Sequence, residues 1–277
     1  MKKLIVCIGL LATIITARGM DAPYPDSVEV RCGKLDVRLG AGTFWNMERV
    51  VYDDLPVSTD STGYWGTVFE FPETGFVGSG HKDKGTETVI DIKMFADGKY
   101  ISPEEVAKAG KIKCVEFKME KQAQVQDIVF NYTLVIKNDQ LIENCKMKAS
   151  KDTPLKLMYN FMHPWSEKMT DYYIQVNDNE VKQGEFKTDE KFPYQGKFKW
   201  VSLYDKNIQT GIVSKATGDD ISCFLWDRKQ YKKIYLCAFY RKTMNAGQET
   251  SHAMTTDFFK SSPADWMKTA RETADRL

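Results

Sequence analysis

From Lys113 to Ala149 apolar and polar residues take turns, and this period of two commits the stretch to β-structure. In "KCVEFKMEK" Val115, Phe117 and Met119 alternate with Glu116, Lys118 and Glu120. In "DIVFNYTLVIK" Ile128, Phe130, Tyr132, Leu134 and Ile136 share one face, and Asn131, Thr133 and Lys137 share the other. After Asn138-Asp139, a pair suited to a tight turn, Cys145, Met147 and Ala149 alternate with polar residues again. A strand of this kind buries one face and wets the other, so three in a row predict an antiparallel meander. Upstream, "TVIDIKMFADGKYI" adds a strand that turns at Asp97-Gly98, residue types that fit a two-residue hairpin.

Further strands are predicted over residues 28–39, 43–52, 67–71 and 155–161, and later near 172–176, 199–204, 211–214, 221–226, 234–240 and 251–259. About a dozen strands without intervening helices exceed one small barrel and predict an all-β chain of two packed sheets. "SPEEVAKAG" predicts a helical turn capped by Ser102. A short C-terminal helix is expected from about Pro263, because Ser262 is a good N-cap and Asp265 stands at capping-box spacing. No repeat, low-complexity tract or linker divides the chain, so residues 20–277 read as one domain.

Residues 1–19, "MKKLIVCIGLLATIITARG", run from two lysines through an apolar stretch to Ala17 and Gly19. That order predicts a secretory signal peptide and an exported protein, periplasmic or secreted, beginning near Met20 or Asp21. The apolar stretch is too short for a membrane span, and no later segment offers the ~18 apolar residues that one requires. With 39 basic and 38 acidic residues the balance gives no reason to expect nucleic acid as a partner. Of the six cysteines, Cys7 falls in the leader, leaving Cys32, Cys114, Cys145, Cys223 and Cys237. An odd number leaves at least one unpaired, and none stands at zinc-ligand spacing with a histidine. Neither a metal nor another cofactor is expected.

The chemistry-bearing residues are few. Of the three histidines, His163 stands near the end of "LMYNFMHPW", where the apolar strand would anchor it, Pro164 would hold the backbone extended, and Trp165 could wall a pocket. A neutral imidazole near pH 7 can donate or accept a proton, which suits His163 to acid/base work. His81 lies in the glycine-rich "TGFVGSGHKDKG", a loop that could bring imidazole and Lys82 close to a ligand. His252, inside the alternating "TSHAMTTDFF", reads as structural. The acidic turns "YDDLP" and "TGDDI" lack the oxygen ligands of a calcium site, and no G-x-S-x-G nucleophile elbow occurs.

The order of these motifs resembles the galactose mutarotase-like superfamily. Its first histidine follows a glycine-rich loop, similar to His81 in "GSGHKDKG". Its second ends a central strand in a "T-N-H-x-Y-F-N" stretch, similar to "NFMHPW" with His163 in the histidine position. Its late "C-L-E-T-Q" strand and "P-G-E-x-Y" turn are similar in outline to "LCAFYRKTMNAGQETSHAMTTDF", with Gly247 and Glu249 in the turn. The resemblance implies a large antiparallel β-supersandwich, a carbohydrate ligand, and catalytic roles for His163 and His81. Asn160, Trp165, Lys82, Tyr240 and Arg241 then become expected substrate-binding residues. Mutarotation also needs a carboxylate base, and aligned on Cys237 the family's glutamate falls at Ala238 or Phe239, neither of which takes a proton. Standard aldose 1-epimerase activity is therefore expected to be absent or very weak, unless Glu249 or Glu167 has taken the role. The readings left open are a carbohydrate-active isomerase, lyase or hydrolase with His163 as acid/base, a non-catalytic glycan-binding module, and an envelope interaction protein with structural histidines.

Overall fold

The computed structural model describes residues 23–59, 65–79 and 86–277. The expected leader, His81 and Lys82 lie outside the described residues. The meander forms as its alternation requires. Strands Glu116–Val125, Ile128–Lys137 and Gln140–Ala149 pair antiparallel with unbroken register along the second junction. Asn138 and Asp139 take φ of 50° and 60°, and Asp97 and Gly98 take 51° and 76°. Positive φ at both central positions is what a tight hairpin with the twist of its strands demands.

These strands belong to a ten-stranded sheet. Its order is Glu180–Glu185, Asp171–Asn177, Trp200–Asp205, Thr210–Gly218, Glu249–Lys260, then the meander in reverse, Thr88–Ala96 and Lys99–Ile101. A six-stranded sheet follows the order Lys191–Gly196, Ser222–Arg228, Tyr231–Ala238, Leu157–Trp165, Gly66–Phe71 and Gly75–Gly78. A five-stranded sheet carries the N-terminal strands, and its edge pairing of Ser27–Cys32 with Lys111–Cys114 is parallel. Val30, Leu39, Phe117, Leu134, Leu225 and Leu236 share one buried core, so the inner faces of these three sheets meet there. The fold is all-β, an antiparallel supersandwich with a short C-terminal helix.

Two expected strands are divided. The segment 28–39 turns at Gly33, where φ is 58°, and becomes Ser27–Cys32 and Leu35–Gly40. The segment 155–161 becomes Thr153–Leu155 and Leu157–Trp165, so His163 lies inside a strand rather than after one. The helix Pro103–Ala109 has a complete capping box between Ser102 and Glu105. The C-terminal helix spans Trp266–Asp275, starting three residues after Pro263. Ser262 and Asp265 do make reciprocal contacts at 2.7 and 3.2 Å, but they close a turn ahead of the helix. Trp266, Ala270 and Ala274, one helical face, pack with Tyr173, Trp200, Tyr204 and Phe259 on the far side of the ten-stranded sheet.

The far side of the six-stranded sheet is aromatic, with Phe76, Tyr159, Phe192, Phe224, Trp226 and Tyr235 in one cluster. Lys233 emerges on this side between Pro164 and Trp226, and burial pushes its ammonium down to about 7. A lysine whose folded value lies below its unfolded value withholds stability at low pH and restores it as pH rises between the two. Stability is therefore expected to climb with pH from about 7 towards 10, by at most ~1.4 kcal/mol per pH unit. Urea denaturation at pH 7 and 9.5 checks this. Lys233→Met should flatten the rise, and an unchanged slope would refute the assignment.

Candidate functional site

A β-bulge determines which side chains of Leu157–Trp165 enter the sandwich. Register with Tyr231–Ala238 shifts between Asn160 and His163, register with Gly66–Phe71 shifts between Tyr159 and Met162, and Phe161 takes a φ of 46°. Strict alternation would send Asn160 and His163 to opposite faces, because their positions differ by an odd number. The extra residue of the bulge turns both inward, while Tyr159 and Met162 join the aromatic cluster outside. Two polar groups of the central strand thereby face the ten-stranded sheet.

That sheet answers with a polar row. His252 pairs in register with Cys145, Cys145 with Tyr132, and Tyr132 with Lys121, so four adjacent strands place these side chains side by side. Glu143 projects from the same face two residues before Cys145. Its Oε2 approaches His163 Nε2 to 2.6 Å, with the side chains only 4% and 1% exposed. Tyr132 Oη donates to the other oxygen of Glu143 at 2.7 Å. Burial first, then the Glu143 carboxylate, drives the Tyr132 phenol far above its ordinary value, so it stays a donor.

Lys121 carries a fully buried ion pair. Its Nζ donates to Glu87 Oε1 at 2.7 Å, to the Phe44 carbonyl at 2.8 Å and to Asn46 Oδ1 at 3.1 Å. Three acceptors fill the three donors of an ammonium. Burial raises the Glu87 carboxyl and Lys121 opposes that rise. At the other end, Asn160 Oδ1 accepts from Thr67 Oγ1 at 2.7 Å, and its amide nitrogen meets His252 Nδ1 at 3.4 Å. Burial holds His252 below its usual value, so it is neutral at pH 7. Gly218 makes room beside it, since a Cβ there would come within 2.4 Å of the imidazole.

The centre of this band is not satisfied. Among the described residues, Glu87 Oε2, Glu143 Oε2, both nitrogens of His163, Trp165 Nε1 and His252 Nε2 are buried and find no hydrogen-bond partner. The His163–Glu143 approach is thus a close contact whose atoms are not aligned as donor and acceptor. Buried polar atoms normally find partners, and several orphans together mark a place that a water or a ligand would complete. Trp65 and Trp165 flank the imidazole, with ring centroids 5.3 and 5.5 Å from it. A carboxylate, an imidazole, a phenol and two indoles can hydrogen-bond hydroxyls and stack on an apolar ring face. No group of three metal-binding side chains occurs among the described residues.

Of the expected site residues, the structure brings together His163, Asn160 and Trp165. It does not bring Tyr240 and Arg241 to them. The Arg241 amide bonds to the Lys156 carbonyl, beside the start of the strand that carries His163 near its end. Tyr240 is 57% exposed there, with the Arg241 guanidinium 5.2 Å from its ring. Ala238 ends its strand and Phe239 packs partly into the core. Glu249 is exposed and paired with Lys148. Glu143, Lys121, Glu87 and Tyr132 were not expected at the site. A signal for three of them existed: Lys121, Tyr132 and Glu143 occupy the apolar phase of their alternating strands.

No protein-family model matches the sequence, and no curated protein matches it at a significant level. Solved structures do resemble it. The Slr1438 protein of Synechocystis superposes with a TM-score of 0.56 at 8% identity, covering 87% of this chain and 98% of that one. A galactose mutarotase-like protein from Lactobacillus casei gives 0.52 at 9% identity, over 84% and 100% of the two chains. The α-N-acetylgalactosaminidase NagBb of Bifidobacterium bifidum gives 0.57 at 9% identity, over 90% of this chain and 39% of that enzyme. With the ten- and six-stranded sheets facing one another across a common core, the chain shares its fold with these solved structures.

Proposed function

We propose that this chain is an exported carbohydrate-binding protein whose ligand is held between the sheets at His163, Glu143, Tyr132, Asn160 and the Trp65–Trp165 pair. One observation carries the reading: among the described residues, six of the nine buried polar atoms without a hydrogen-bond partner belong to this band, which two indoles flank, the combination that a saccharide's hydroxyls and ring face would satisfy. Sugar-related names among the fold neighbours support the same ligand class. If the ligand is turned over, His163 is the acid/base, and Glu143 is the carboxylate beside it.

The side chains at Ala238 and Phe239 supply no base, which favours binding without aldose 1-epimerase activity. Saturation-transfer NMR with a panel of hexoses, amino sugars and oligosaccharides should detect binding, and polarimetry on glucose and galactose should detect no enzyme-level mutarotation. Fast mutarotation would assign the base role to Glu143 instead. A panel without any binder would leave the network as structural support in an interaction protein. Export rests on the leader sequence, and N-terminal sequencing of the mature protein should begin near Met20 to Ala22. An intact leader would rule it out.

A further inference from the structure

Cys32 and Cys114 are register partners at the parallel junction of Ser27–Cys32 with Lys111–Cys114, and their Sγ atoms stand 3.3 Å apart. Neighbouring strands lie about 4.8 Å apart, inside the roughly 4.4–6.8 Å between Cα atoms that a disulfide spans. Closing 3.3 Å to a bond of about 2.05 Å asks each sulfur to move only about 0.6 Å. The remaining cysteines are differently placed. Cys145 faces Tyr132 and His252 in its sheet. Cys223 opposes Leu236, one residue before Cys237, so those two side chains leave opposite faces of their sheet.

We infer that Cys32 and Cys114 are a disulfide-forming pair, closed by exchange with a small-molecule or protein disulfide. The order of events follows from access. Cys114 is half-buried and can meet a reagent, whereas Cys32 is 1% exposed. Cys114 gives up its proton, and its thiolate attacks one sulfur of the donor disulfide, expelling the other as a thiolate. Cys32 then gives up its proton and attacks the Cys114 sulfur of the mixed disulfide, expelling the second donor thiolate. Two protein thiols lose two electrons, the donor disulfide gains them, and the two protons end on the donor's thiols. A hydrogen bond from Cys32 already holds the Cys114 thiol below its usual range, in keeping with its role as attacker. The bond would join the N-terminal strand to a strand 82 positions later.

The test is equilibration of the full chain with oxidised glutathione, then alkylation and non-reducing peptide mapping. The expected result is one linked peptide pair through Cys32 and Cys114, with Cys145, Cys223 and Cys237 alkylated. Reductant should also lower the Tm of the wild-type protein and leave that of C32S/C114S unchanged. Five alkylated cysteines from Cys32 onward would overturn the inference. So would a Cys114–glutathione adduct with Cys32 free, or a link through any other cysteine. Peptide mapping uses the wild-type chain, so the answer stands even if the double variant does not fold. The redox buffer is imposed, so the answer is also independent of the proposed export.

Discussion

Lys121→Met is expected to destabilise the protein by about 3–5 kcal/mol, the usual loss when one member of a buried ion pair is removed. Lys121 and Glu87 are each 1% exposed at the side chain, so no solvent reaches the carboxylate left behind. The loss has two sources: an uncompensated charge, and the acceptors Phe44 O and Asn46 Oδ1 deprived of their donor. Burial pushes the Glu87 carboxyl up and Lys121 opposes that rise, so in the variant the carboxyl takes up a proton more readily, which limits the damage. The double variant Lys121→Met with Glu87→Leu should recover most of the stability, since two apolar groups need no partner. Urea denaturation of both singles and the double at pH 7 gives the coupling directly. Additive losses, or a single-variant loss below ~1 kcal/mol, would show that the two charges do not depend on one another.

His163→Asn should lose both stability and ligand. From the sequence the imidazole reads as a polar tip whose removal leaves the strand's burial intact. The structure places it at 1% exposure, 2.6 Å from Glu143, so its loss leaves a gap and a carboxylate oxygen without its polar neighbour in a buried site. A cost of about 1–3 kcal/mol follows, short of unfolding a domain of ordinary stability. Thermal melting of His163→Asn should therefore give a cooperative transition at lower Tm, and the folded variant should show no saccharide binding. Glu143→Gln keeps the shape and can still accept from Tyr132, so it should lose binding with a smaller change in Tm. Full binding by either folded variant would confine these residues to a structural role.

The strands of the meander were legible because each carries its own period of two, and the hairpins because Asn138-Asp139 and Asp97-Gly98 are turn residues wherever they occur. The candidate site was legible only in part. His163, Asn160 and Trp165 stood out as polar or bulky groups in one apolar run, but the bulge that turns Asn160 and His163 to the same face depends on two neighbouring strands far away in sequence. Their partners were visible in principle. Lys121 is in phase with Met119, and Glu143 with Cys145 and Met147, and a charge in the buried phase must find a partner. Which partner it finds is settled by register between strands, and no local pattern encodes that. Tyr240 and Arg241 illustrate the converse: a motif aligned by sequence order alone placed them near His163, while strand pairing puts them at the other end.

The most direct measurement is the imidazole resonance of His163 during a saccharide titration, followed by NMR in protein labelled at histidine. The chain has three histidines, so His163→Asn identifies the signal by its disappearance. A saccharide seated between Trp65, Glu143 and His163 should shift that resonance saturably, with the same affinity obtained from the ligand's own signals. A binding saccharide that leaves the His163 resonance unmoved would contradict the account, because the ligand would then lie elsewhere on the fold.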